Sequence, residues 1–450
     1  MIEEQKLNKW IPFTIGAFIV IIVAAIIIST LTHKEAPKTA TVATKGAPTE
    51  APIAQTNGNN EINFGSSRIG TTSKDLVQVI DKESILMSTD AGETFAPYFK
   101  IATTSTKEGF ANVITINFHP IKKDNIIVTS YEDGLFNKTP ESNAWNMITF
   151  PPQKIYSFIL DKSDPDNKMF ASGVVDQNGR VFRTKDGGKT WKAVYVEPGS
   201  GTVITALAQD PRNAKTIYSG TSEGTIVRSQ DGGDTWKNIG NKIDGTIRFM
   251  SFDGARASVI YLLSFQNLMY YSPDKGETWI DWEKAKADEV KSLQTQATAL
   301  SRSGDRAGAT ALTEKAKKLA ERNKLNKMPI GINLIVADPK VPGTIYAGNN
   351  GGLFRSTDSG KYWYELDIIE SAHAYAIESI AVNPNNSKEI VFVAGKAFYK
   401  TQNGGDTWSV TPLSSDRNAS FVAYDPHDVR KIFIGVSSVG LSTPQAEKRK

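Results

Sequence analysis

Variants of one eight-residue stretch recur along this chain, and no other feature of the sequence restricts its fold so strongly. The clearest copy is Ser229-Gln230-Asp231-Gly232-Gly233-Asp234-Thr235-Trp236. In the pattern S/T-x-D-x-G-x-T-W an Asp carboxylate bonds backbone N–H groups across a reversal, Gly takes a positive φ, and Thr and Trp open the next strand. A Trp in so short a unit finds cover only against a neighbouring copy, so the copies must stack.

The others place Asp90 and Gly92 before Phe95, Asp186 and Gly188 before Trp191, and Asp274 and Gly276 before Trp279. Two have drifted. Asp358, Gly360 and Trp363 enclose Tyr362 where Thr is usual, and Gly405 and Trp408 follow Asn403 where Asp is usual. A copy at Lys138 to Trp145 keeps little but its Trp. The acidic position returns about every 45 residues, except between Asp274 and Asp358, where roughly 40 more are inserted. A second motif, D-P followed by I-Y-x-G, precedes the turn, as at Asp210-Pro211 before Ile217-Tyr218 and Asp338-Pro339 before Ile345-Tyr346. Such a period is that of a four-stranded propeller blade.

The expected fold is therefore all-β, a single β-propeller over residues 62–443 with a short tail at 444–450. Seven turns give seven units, and the tail offers further strands at Ser420 to Tyr424, Lys431 to Val436 and Val439 to Thr443. In the first unit, Asp75 to Ile80 is the expected second strand and Glu83 to Ser88 the third. If Asn63 to Ile69 completes the tail, the ring has eight blades; if the tail merges into the first unit, it has seven.

Within the insertion, Glu283 to Lys327, the apolar period becomes helical. Val290, Leu293, Ala297 and Leu300 form one row, Ala309, Leu312, Ala316 and Leu319 another, and Ser303-Gly304-Asp305 separates them. An α-helical hairpin follows. It carries about eleven Lys and Arg against about six Asp and Glu. It is either a solvated spacer or an arm that grips a partner protein.

Ile11 to Leu31 contains no charge and is long enough to cross a bilayer as a helix. Lys6 and Lys9 before it put residues 1–10 in the cytoplasm. It reads as an uncleaved transmembrane anchor, followed by a linker at 32–61 rich in Ala, Thr, Pro, Gly and Asn. The expected location is the membrane of a bacterial cell, with the propeller in the periplasm or at the cell surface. The absence of cysteine rules out thiolate metal sites and a Cys nucleophile. With 52 Lys and Arg against 48 Asp and Glu, the balance does not suggest nucleic acid as a partner. The four histidines are scattered, so no metal site and no cofactor is expected.

The repeated turn resembles the Asp-box, or bacterial neuraminidase repeat, of sialidases, sortilins, xyloglucanases and the photosystem II stability/assembly factor family. For sialidases the resemblance implies a catalytic Arg-containing signature, which is missing; Arg68-Ile69-Gly70 lacks its Pro. The xyloglucanase likeness implies catalytic Asp residues between two rings. Asp133, Asp176, Glu223 and Asn349, in loops between second and third strands, remain the candidate binding positions. The turn aspartates are expected to cost stability rather than chemistry when replaced, and the Trp series is expected to be core. The expected function is a membrane-anchored, non-catalytic scaffold that binds a protein or, as second choice, a glycan. It looks most like the photosystem II assembly factor and sortilin groups. A glycoside hydrolase is the alternative.

Overall fold

The structure, a computed structural model, describes residues 80–103, 113–130, 134–142, 144–152, 154–369 and 374–437. The expected anchor at 11–31, the linker at 32–61 and the tail beyond 437 lie outside these residues, as do Asn63 to Ile69 and Asp133. Among the described residues no helix is long and apolar enough to cross a membrane.

Two strands, β1 (Ile80–Ser88) and β2 (Ala96–Thr103), come first. Three complete sheets follow: β3 (Val113–Phe118), β4 (Ile126–Ser130), β5 (Gly134–Lys138) and β6 (Trp145–Ile148); then β7 (Ser157–Leu160), β8 (Met169–Val175), β9 (Asn178–Thr184) and β10 (Lys192–Val196); then β11 (Ile204–Gln209), β12 (Ile217–Thr221), β13 (Ile226–Ser229) and β14 (Lys237–Asn238). The next is β15 (Ile247–Phe252), β16 (Ile260–Ser264), β17 (Met269–Ser272) and β18 (Ile280–Asp281). Two helices, α1 (Trp282–Ser303) and α2 (Arg306–Leu325), interrupt the series. It resumes with β19 (Leu334–Ala337), β20 (Ile345–Gly348), β21 (Leu353–Ser356) and β22 (Tyr364–Leu366), and then β23 (Ile377–Asn383), β24 (Asn386–Ala394), β25 (Ala397–Thr401) and β26 (Ser409–Pro412). Last come β27 (Asn418–Asp425) and β28 (Asp428–Ser437).

Each full set pairs in chain order as an antiparallel meander, and the first strands of most neighbouring sheets touch one another, as β11 touches β7 and β15. Second strands such as β12, β16 and β20 are buried along their whole length, because sheets cover them on both faces. That is why they read as the apolar runs Ile217-Tyr218, Ile260 to Leu263 and Ile345 to Ala347. Fourth strands lie at the rim and are mostly exposed, as in β14. Clusters such as Ile127, Leu135 and Ile148 with Phe158, Met169 and Ala171 fill the space between consecutive sheets.

The count is seven blades, not eight. The strands of the closing sheet run in the order β2-β1-β28-β27, so the two ends of the described chain share one blade. Ile85 pairs with Gly435 and Ser88 with Ile432. The tail supplies the first and second strands as expected, and Ile80–Ser88 pairs beside them as the third; Val439 to Thr443, expected in that place, lies outside the described residues. A tail that finds its outer half in the first unit leaves no further blade to complete, and its edge is paired rather than exposed.

Candidate functional site

In the turn the hydroxyl of Ser229 is the buried centre. It donates to Asp231 Oδ1 at 2.8 Å and accepts the Gly233 N–H at 2.8 Å. Asp231 in turn accepts the N–H groups of Asp234 and Thr235, each at 2.9 Å, but its carboxylate faces solvent. Ser88, Thr184, Ser272, Ser356 and Thr401 bond the glycines Gly92, Gly188, Gly276, Gly360 and Gly405 in the same way. Hydrogen bonds from Thr94 and Thr190 hold the carboxyls of Asp90 and Asp186 down at about 2. Asn403 keeps the geometry without a charge, accepting from the Thr407 N–H at 3.0 Å. Trp363 alone among the turn tryptophans is fully buried; Trp191, Trp236, Trp279 and Trp408 are half-buried on the margins of the clusters, so the expected Trp core is in part a Trp rim.

The fourth position of the turn, which also takes a positive φ, links blades. In four of the six copies its carbonyl receives a cation from the preceding blade: Arg183 donates to Gly232 at 2.7 Å, Arg228 to Lys275 at 3.2 Å, Arg355 to Gly404 at 3.3 Å and Lys400 to Ala91 at 2.9 Å. Arg183 and Arg228 also reach Asp234 and Glu277, both at 2.7 Å. The sequence signal for this link is a basic residue just before the Ser or Thr of the turn, a position outside the eight-residue motif.

Counting the closing sheet as the first blade, the fifth, β15 to β18, departs from this pattern, since Tyr271 stands where the cation would be. The missing donor comes from the start of α1, just ahead of the insertion. Trp282 stacks on Tyr271, with centroids 5.4 Å apart, and gives its indole N–H to the Ser359 carbonyl at 2.9 Å. Lys286, 1% exposed, bonds Glu283 at 2.6 Å and the Lys361 carbonyl at 3.1 Å. Tyr362, the drifted residue, reaches Asn323 through its hydroxyl at 3.1 Å, and Arg322 lies 4.0 Å over its ring. The change from Thr to Tyr in that copy is thus a contact with the hairpin.

Asp281 caps α1, Gly304 at φ 93° ends it, and Asp305 caps α2. Leu293, Ala297, Ala309 and Ala316 are buried between the helices, as the period predicts. Among the described residues no hydrogen bond or ion pair joins the ring to residues 290–321. About 20 Å of α1 therefore extends past its last anchor, Glu289, at 1.5 Å per residue. Between the end of α2 and the sixth blade lies an open groove of about 360 Å³.

The described loop candidates are not gathered into one site. Asp176 pairs with Arg180 at 3.0 Å, and Glu223 faces Lys242 at 3.8 Å. Asn349 is buried, accepts the N–H groups of Gly351 and Gly352, and donates to the Ile330 carbonyl at 2.8 Å. It is a brace for the chain leaving the hairpin. Among the described residues no cluster of three or more His, Asp or Glu side chains could hold a metal ion.

Residues 167–380, somewhat under half of the chain, match the family model described as photosynthesis system II assembly factor YCF48. Among solved structures, a GH74 enzyme of Niastella koreensis is 16% identical over 72% of this chain and 51% of that one, with a TM-score of 0.50. An ancestral GH74 enzyme is 14% identical over 70% of this chain and 42% of its own, with a TM-score of 0.49. A structure of YCF48 bound to D1 peptide is 13% identical over 73% and 92%, with a TM-score of 0.49. The chain thus spans about half or less of the GH74 enzymes it matches. No curated protein matches it. The family match and the seven four-stranded sheets support a propeller of the bacterial neuraminidase repeat type.

Proposed function

We propose that this chain is a non-catalytic scaffold that binds a polypeptide partner through its helical hairpin, with the propeller held outside the cytoplasm by residues 11–31. The observation that carries the reading is the hairpin's attachment: both ends of it are fixed to the sixth blade while residues 290–321 have no polar tie to the ring. A spacer needs no such fixing, whereas an arm that presents a surface must be held at a set angle. The assembly-factor description of the matching family points the same way, and the repeated turn supports an Asp-box assignment.

The test is affinity capture from detergent-solubilised membranes, using the full chain and a form in which residues 283–327 are replaced by a short Gly-Ser turn. Partners recovered only with the full chain are expected. Identical recoveries would remove the hairpin from the proposal, and release of reducing sugar from a glycan panel would overturn its non-catalytic part.

A further inference from the structure

The groove at the base of the hairpin differs in character from the rest of the rim. Its floor is apolar and packed, formed by Met328, Phe354 and Trp363, of which Trp363 is only 3% exposed. Its lip carries Leu325 and Ile330, left 81% and 75% exposed. Two large apolar side chains left uncovered beside a preformed hollow leave a gain from burial unused. Lys324 and Lys327 also line the groove, are exposed, and form no ion pair among the described residues. The only acidic residue lining it is Glu365.

We propose that this groove docks an extended peptide segment that inserts apolar side chains over Met328 and Trp363 and sets carboxylates against Lys324 and Lys327. This rests on the reading of the hairpin as a binding arm and assigns it a partner chemistry. The charge at the lip selects an acidic segment, and the volume, about 360 Å³, takes a few side chains at once. A concave site sheltered by a sheet admits side chains one by one. An anionic bilayer, the other surface that lysines and leucines attract, needs a flat or convex apolar face.

Fluorescence anisotropy with three short labelled peptides tests the assignment: one alternating Leu with Glu, one Leu with Lys, and one Ser with Glu. The Leu–Glu peptide is expected to bind the full chain at least about tenfold more tightly than either control. Lys324→Glu with Lys327→Glu, both exposed, is expected to abolish that preference and favour the Leu–Lys peptide. Leu325→Ser with Ile330→Ser is expected to weaken the Leu–Glu peptide about tenfold. Val410→Ser, at an exposed apolar position on another blade, is expected to change nothing. Equal binding of the three peptides, insensitivity to the lysine pair, or binding of phosphatidylglycerol vesicles in place of any peptide would overturn the proposal. Partner capture that still requires residues 283–327 but survives both groove variants would sink the groove alone. Capture indifferent to the hairpin would sink the arm reading first.

Discussion

Trp282 gives its indole N–H to the carbonyl oxygen of Ser359 at 2.9 Å, filling the acceptor position that cations occupy between other blades. The first residue of α1, just ahead of the insertion, thereby supplies the link that no cation makes here. The hairpin and the ring are coupled at the point where the repeat departs from its pattern, at Tyr271 and Tyr362.

Trp282→Phe keeps the stacking on Tyr271 but leaves the Ser359 carbonyl without its donor. A loss of about 1 kcal/mol is expected, with Trp282→Ala costing more because the stacking goes too. Hydrogen exchange should locate the effect, speeding in the first turns of α1 and leaving β12 and β16 unchanged. Uniform acceleration across the ring would contradict a local link.

Ser229→Ala should cost more than Asp231→Ala. Removing the hydroxyl leaves the buried Gly233 N–H with no acceptor, a loss of about 1–3 kcal/mol, whereas the Asp231 carboxylate is open to water. Ser229→Thr should be close to neutral, since Thr184 and Thr401 do the same work. Denaturant unfolding of the three variants gives the ranking.

Adjacent glycines should respond differently. Gly232 and Gly233 both have positive φ, but Ala91, Lys275 and Ser359 occupy the Gly232 position in other copies, and a Cβ there meets nothing within 4 Å. At Gly233 a Cβ would lie 2.8 Å from the Phe170 ring. Gly232→Ala should therefore cost about 1 kcal/mol or less and Gly233→Ala several times that. Thermal unfolding of both variants checks it.

His119 stands where other blades use Asp or Asn, and its Nδ1 accepts the N–H groups of Ile121 at 3.1 Å and Lys122 at 2.7 Å. Asp161, Asp210, Asp253 and Asp338 hold the equivalent turns with carboxylates. Burial, partly opposed by Asp166, depresses the imidazole below its usual 6.5, so the neutral form belongs to the fold. Its contribution is complete above pH 6.5 and is lost as pH falls through the lowered value. His119→Asp should flatten the stability profile in that window. An unaltered slope in the variant would assign it to other groups.

Much of the architecture was legible because it is local. The turn specifies its own hydrogen bonds from Ser229 to Trp236. The rows of Leu293 and Ala297 against Ala309 and Ala316 fix the hairpin by period alone. Less of the candidate site was legible. Asn349 reads as an exposed loop residue until its partner, the Ile330 carbonyl, is in place, and Tyr362 reads as drift until Asn323 is found beside it.

By itself the sequence determined the blade, its period and the existence of the hairpin, since each follows from contacts between residues a few positions apart. Only the tertiary structure decided the number of blades, the pairing of Ile85 with Gly435, and the seating of Trp282 on Ser359. Those contacts join segments far apart in the chain, and the choice among competing edges depends on which of them the closed ring brings within reach.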